Sequence, residues 1–140
     1  MDDTCPTLTY NRIRRHQARY VQTRVASVKS PWLCDCNVGD IHSVAISHGE
    51  GRFVADEATM KALIENGQVA FQYVDPCGNA TMDIHYNPNG STMAIEGILS
   101  PDGRVLGKMA HTERSGADIG KNIFGNKMQP IFESGVKYFK

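Results

Sequence analysis

Two apolar runs near the C-terminal third are separated by Ser100-Pro101-Asp102-Gly103, and this punctuation limits the folds open to the chain. Proline presets the backbone angle at the first central turn position, and glycine tolerates a positive φ, so Ala94–Leu99 and Arg104–Met109 are expected to pair as a β-hairpin. The same grammar recurs upstream. Tyr20–Val28, Ile41–Ser47 and Gln68–Val74 space β-branched and apolar residues as strands do, and turn formers bound them in "KSPWLCDCNVGD", "HGEGRF" and "DPCGN". Strong helical grammar occurs once, in "DEATMKALIENG". There Asp56 is an N-cap, Glu57 adds charge near the helix N-terminus, Met60, Leu63 and Ile64 form an apolar stripe, and Gly67 supplies a left-handed C-terminus. Met128, Ile131, Phe132, Val136 and Tyr138 suggest a second, terminal helix over Met128–Phe139, weakened by Gly135. The expected fold is a single α/β unit over residues 1–140, with an α+β arrangement as the alternative.

Composition excludes several classes of function. Fifteen basic and fifteen acidic side chains cancel, so no electrostatic footprint for nucleic acid or anionic lipid is present. The apolar runs are a few residues long, too short to span a membrane. A chain of 140 residues can bury roughly two-thirds of its unfolded surface in one core. The opening "MDDTCPTLTY" lacks an apolar signal core, so a cytosolic setting with Cys5, Cys34, Cys36 and Cys77 reduced is expected.

Chemistry is concentrated in few places. "GKMAHTERSG" sets His111 two residues before Glu113, and residues two apart in an extended segment project to one side. A carboxylate beside an imidazole fixes its tautomer and stabilises the imidazolium formed when it takes a proton, which is what a thiol or hydroxyl nucleophile needs. A solvated surface pair is the bland alternative. "SHGEGRF" places glycines on either side of Glu50 directly after a strand, which suits either close approach to a ligand or a surface turn with a Glu50–Arg52 ion pair. No P-loop lysine accompanies it. "YNPNGS" reads as a tight loop. Cys34 and Cys36 are spaced more closely than the usual zinc pair, so an incidental loop pair is expected rather than a metal site. No cysteine lies in a G-x-C-x-G elbow; Cys77 reads as a turn residue, and Trp32 as the anchor of its loop on the core.

Several strings in one order carry a stronger signal. "PTLTYNRIRRHQARYVQTRV", "SPWL", "GDIHSVAISHGEGRFVA", "YNPNGS" and "IEGILSPDGRVLGKMAHTER" closely resemble the C-terminal glutaminase domain of phosphoribosylformylglycinamidine synthases. The resemblance spans nearly the whole chain. It implies a flavodoxin-like class I glutamine amidotransferase domain whose Cys-His-Glu triad releases ammonia from glutamine through a glutamyl thioester. That ammonia serves an ATP-dependent amidation of formylglycinamide ribonucleotide in purine biosynthesis. His111-Thr112-Glu113-Arg114 matches the signature H-P-E-R with threonine for proline, so the resemblance makes His111 the general base and acid and Glu113 its orienter. Ser47 and His48 match the S-H-G segment beside bound glutamine and become candidates for substrate contact.

In the resembled domains the nucleophile elbow and the oxyanion-hole glycines precede the string "PTLTYN". The expectation is therefore a partial domain lacking the N-terminal half, inactive alone, with no cofactor of its own because ATP and magnesium belong to the synthetase domain. Removal of the leading strands of a parallel sheet would leave an edge that seeks a partner: the missing half, a synthetase domain or a second copy. A non-catalytic module docking on a synthetase is the alternative from another class, and a small thiol hydrolase using Cys77 or Cys34 is the third.

Overall fold

A computed structural model describes residues 5–114, 119–123 and 125–139. The main sheet has five strands: β2 (Gln17–Val25), β3 (Ile41–His48), β5 (Val69–Tyr73), β6 (Ile95–Leu99) and β7 (Leu106–Lys108), in the spatial order β3-β2-β5-β6-β7. A two-stranded ribbon, β1 (Thr7–Thr9) with β4 (Arg52–Val54), stands apart from it. Two helices complete the mixed architecture, α1 (Glu57–Glu65) and α2 (Ile131–Phe139). Every strand pairing among the described residues is antiparallel, unlike the parallel sheet anticipated for the resembled domain.

The hairpin forms as its sequence demands, with β6 and β7 in register from Gly97↔Lys108 to Leu99↔Leu106. The Ser100 hydroxyl donates to Asp102 Oδ1 at 2.6 Å, and the Arg104 N–H reaches the same oxygen at 3.1 Å. Gly103 has φ +77°, and a β-carbon there would lie 2.9 Å from the Lys29 carbonyl oxygen, so glycine is needed for conformation and for space. Past β7 the chain swings to the opposite edge of the sheet. The His111 N–H donates to the Ala45 carbonyl at 2.7 Å, which curls the sheet until the segment after its last strand meets β3.

Three apolar clusters hold the layers together. Val21, Val44, Ile46, Tyr73, Ala94 and Ala110 fill the curl. Phe53, Met60, Leu63, Val69 and Ile95 seat α1, whose Asp56 cap accepts from the Thr59 N–H at 2.8 Å. Ile64, expected in the same stripe, stays half exposed at the helix margin. Val25, Leu33, Phe71, Leu99 and Ile131 join α2 to the sheet.

α2 begins at Ile131, after Gln129-Pro130, rather than at Met128. Its Gly135 has a packing reason: a β-carbon there would fall 2.2 Å from Cζ3 of Trp32, so only glycine lets the indole lie against the helix. Trp32 sits in a 3₁₀ turn, Pro31–Leu33, and its Nε1–H donates to the Arg104 carbonyl at 2.9 Å. The anchoring role expected of it is thus realised on α2 and the hairpin turn. No helix among the described residues is long and apolar enough to cross a membrane.

Candidate active site

The site grows out of the end of β7. Leu106–Lys108 is extended, and the chain then crosses to the edge of β3, where the His111 backbone is pinned to Ala45. Arg114 N–H closes a turn on the His111 carbonyl at 3.2 Å. Between these fixed points the imidazole and the carboxylate meet, with His111 Nδ1 2.6 Å from Glu113 Oε1. The two side chains therefore meet as the sequence implies, but across a turn at Thr112 and Glu113 rather than along an extended segment. With Nδ1 protonated towards the carboxylate, Nε2 is the basic nitrogen, and it has no hydrogen-bond partner among the described residues. The hydrogen bond from His111 is the chief reason that the Glu113 carboxyl is held below its usual range.

Both groups remain reachable: the side chains of His111 and Glu113 are 29% and 58% exposed. They line one end of a cavity of about 340 Å³ whose other walls include Trp32, Lys108, Met109 and Phe132.

His48 ends β3 and lies close enough to His111 for a positive charge on one to disfavour protonation of the other. Burial is the larger cause of its lowered pKa, and the hydrogen bond to Asn89 opposes it. The ring contacts Asn89 Nδ2 through Nε2 at 2.5 Å and lies over Gly51, where a β-carbon would come within 2.1 Å of it. Glycine at position 51 is thus what allows the imidazole its place. Ser47 is different. Neighbouring strand residues face opposite ways, and its hydroxyl lies 3.2 Å from Nε2 of His16. The structure brings His48 towards the dyad and leaves Ser47 on another partner.

The loop after β5 holds more than turn grammar reveals. Asn87, Asn89 and Ser91 are completely buried. Asn87 exchanges hydrogen bonds with the Ser91 backbone at 3.0 and 3.1 Å, and Asn89 also donates to the Tyr73 hydroxyl at 3.2 Å. Glu96 and Lys108, also unremarked in the sequence, are buried beneath the dyad. Their signal was a charge placed inside each apolar run of the hairpin, "AIEGIL" and "VLGKMA".

Three of the thiols lie in different surroundings. Cys34 donates to the Ser134 carbonyl at 3.6 Å. Cys36 is buried in the core, which pushes its thiol up to about 11, and Cys77 is exposed in the turn anchored on Asp75. Among the described residues no three His, Cys, Asp or Glu side chains gather as a metal site. No Glu50–Arg52 ion pair forms; Arg52 Nε is buried without a partner among the described residues.

The chain is 36% identical over 132 residues to the phosphoribosylformylglycinamidine synthase subunit PurQ of Methanosarcina acetivorans, a match covering 91% of this chain and 56% of that protein. The corresponding subunit of Gloeobacter violaceus is 38% identical over 128 residues, covering 89% and 53%. The chain therefore spans about half the length of the curated relatives it matches. Among solved structures, that of PurLQS from Thermotoga maritima superposes with a TM-score of 0.70 at 25% identity, covering 97% of this chain and 54% of that one. The CobB/CobQ-like glutamine amidotransferase domain pattern matches residues 1–139, and the chain belongs to that family.

Proposed function

We propose that this chain forms the His-Glu side of a glutaminase domain of phosphoribosylformylglycinamidine synthase. The observation that carries the reading is the 2.6 Å contact between His111 Nδ1 and Glu113 Oε1, which leaves Nε2 unengaged at the rim of a cavity. In this reading a cysteine thiol comes from the part of the domain that the relatives possess beyond the matched stretch. His111 Nε2 takes the thiol proton, and the thiolate attacks the side-chain carbonyl carbon of glutamine. The C–N bond then breaks, the same proton leaves with ammonia, and the glutamyl thioester is hydrolysed by water to glutamate and free thiol. Glu113 holds the ring in the tautomer this requires and stabilises the imidazolium. His48 borders the glutamine, and Ser47 assists only if its bond to His16 is given up. The ammonia passes to a synthetase partner, whose ATP and magnesium sites lie outside this chain. A cytoplasmic setting belongs to the same reading, since purine synthesis draws on cytoplasmic glutamine and ATP.

A glutaminase assay on the purified chain, alone and mixed with a polypeptide carrying the G-x-C-x-G half, tests this. Ammonia is expected only from the mixture, and H111A in the mixture should lower the rate by roughly 10³-fold or more, as loss of a triad member does. Release of ammonia by the chain alone, or a mixture indifferent to H111A, sinks the reading. One observation favours a second reading, a docking module without catalysis: Phe132, Val136, Tyr138 and Phe139 of α2 all lie half exposed or more. Binding to a synthetase with no ammonia from the mixture would select it.

A further inference from the structure

Directly beneath the dyad, the interior of the curled sheet carries charge. The Glu96 carboxylate is fully buried on β6, and Lys108 on β7 is 11% exposed, with Nζ 3.9 Å from Glu96 Oε1. Taking such a pair out of water is costly, and its mutual attraction seldom repays more than that cost. A stability argument therefore does not account for it. Its hydrogen bonds do. Glu96 Oε1 accepts from the Ala110 N–H at 2.7 Å, immediately before His111. Lys108 Nζ donates to Thr112 Oγ1 at 2.6 Å and to Gln129 Oε1 at 2.7 Å. The Thr112 hydroxyl donates in turn to Gln129 Oε1 at 2.7 Å, while Gln129 Nε2 and Glu96 Oε2 stay buried without a hydrogen-bond partner among the described residues. The third ammonium proton has Glu96 and the Phe71 ring before it, the latter with its centroid 5.0 Å away.

We propose that Glu96, Lys108 and Gln129 are positioning residues: through Ala110 and Thr112 they clamp the backbone on both sides of His111, so that its ring meets Glu113 without a proline between them. The inference rests on the role of His111 and Glu113 proposed above. Its structural core, a clamp acting on the 110–112 backbone, does not. Threonine stands at position 112 where the resembled signature has proline. Proline limits the backbone through its ring, whereas here a side-chain hydroxyl tied to two buried partners limits it from below. A loop of this length would otherwise sample many conformers, and a dyad of this kind is effective only when held to within about 0.5 Å.

The test reads the clamp separately from stability and from activity. Replacing only Lys108 strands Glu96 and risks unfolding, so the informative variant is E96L/K108M, which substitutes apolar groups of similar size for both charges. In the purified chain, the downfield proton resonance of the His111 Nδ1–H, bonded to Glu113, is observed by NMR. The clamp predicts its loss in E96L/K108M although the fold is kept, its loss in T112V, where only the hydroxyl is removed, and its return in E96L/K108M/T112P. A wild-type resonance in folded E96L/K108M, or no recovery on adding T112P, overturns the clamp. Neither result depends on glutamine hydrolysis, so failure of the complementation assay would leave this answer intact.

Discussion

Two buried polar assemblies support this face of the molecule, and they are built on opposite plans. The loop Asn87–Ser91 is held by neutral amides and a hydroxyl: Asn87 with the Ser91 backbone, Ser91 Oγ with the Phe53 N–H at 3.1 Å, and Asn89 with His48 and Tyr73. The segment 110–112 is held by a formal ion pair, Glu96 with Lys108, and by the groups those charges reach. A neutral network loses its members piecemeal, since each orphaned group costs only its own desolvation. A charged one in the sheet interior fails as a unit, because either charge left alone is intolerable there. The difference implies that the fold around the Asn loop degrades by steps, whereas the clamp under His111 is all or nothing.

The largest effect should therefore come from breaking the ion pair unevenly. K108M leaves the fully buried Glu96 carboxylate without its cation and should destabilise by about 3–5 kcal/mol in a denaturant titration. E96L/K108M should recover most of that, because both charges leave together. If the double variant is as unstable as the single one, the pair is not the unit described here. The Asn loop should respond more gently. N87A or N89A orphans one or two buried partners and should cost about 1–3 kcal/mol, and the two together should approach the sum less a coupling term. A cost for N89A equal to that of K108M would erase the distinction between the plans.

The same contrast explains what was legible in the sequence. Ser100-Pro101-Asp102-Gly103 and Asp56 act through neighbours in the chain, so residue type alone placed the hairpin and the first helix. His111 and Glu113 were readable for the same reason: two residues apart in the chain, they are near neighbours and meet across a turn. What escaped depends on distant partners. The β1–β4 ribbon joins segments far apart in the chain, and Gly135 looks like a weak helix residue until Trp32, a hundred positions earlier, packs against it. "YNPNGS" was legible as a loop but not as a buried one, because turn propensity says nothing about what covers a turn. Ser47 and His48 were read together from one string, whereas strand geometry turns them to opposite partners, His16 and Asn89.

Mild acid should separate the two assemblies by the smallest but most selective effect. His48 lies within the Asn89 network, and its pKa is lowered from 6.5, first by burial and further by charge on His111 and His16. His42, buried on the same strand, is lowered from 6.5 for the same first cause, with Lys108 adding to it and Asp40 opposing. A histidine whose folded pKa lies below its unfolded one binds more protons when unfolded. Its contribution is thus complete above about 6.5 and is lost as the pH falls through and below that value, each tenfold weakening of proton binding by folding being worth about 1.4 kcal/mol. Hydrogen exchange at pH 7.5 and 5.5 reads this locally, after correction for the intrinsic rate. Protection around Asn87–Ser91 should fall over that interval. Protection of Ala110, whose amide is bonded to Glu96, should fall less, since no histidine hydrogen-bonds to the clamp. Replacing His48 by glutamine should flatten the response of the Asn loop and leave that of Ala110 unchanged. Equal loss at both places would mean that the two assemblies open together, and that the face behaves as one cooperative unit rather than two.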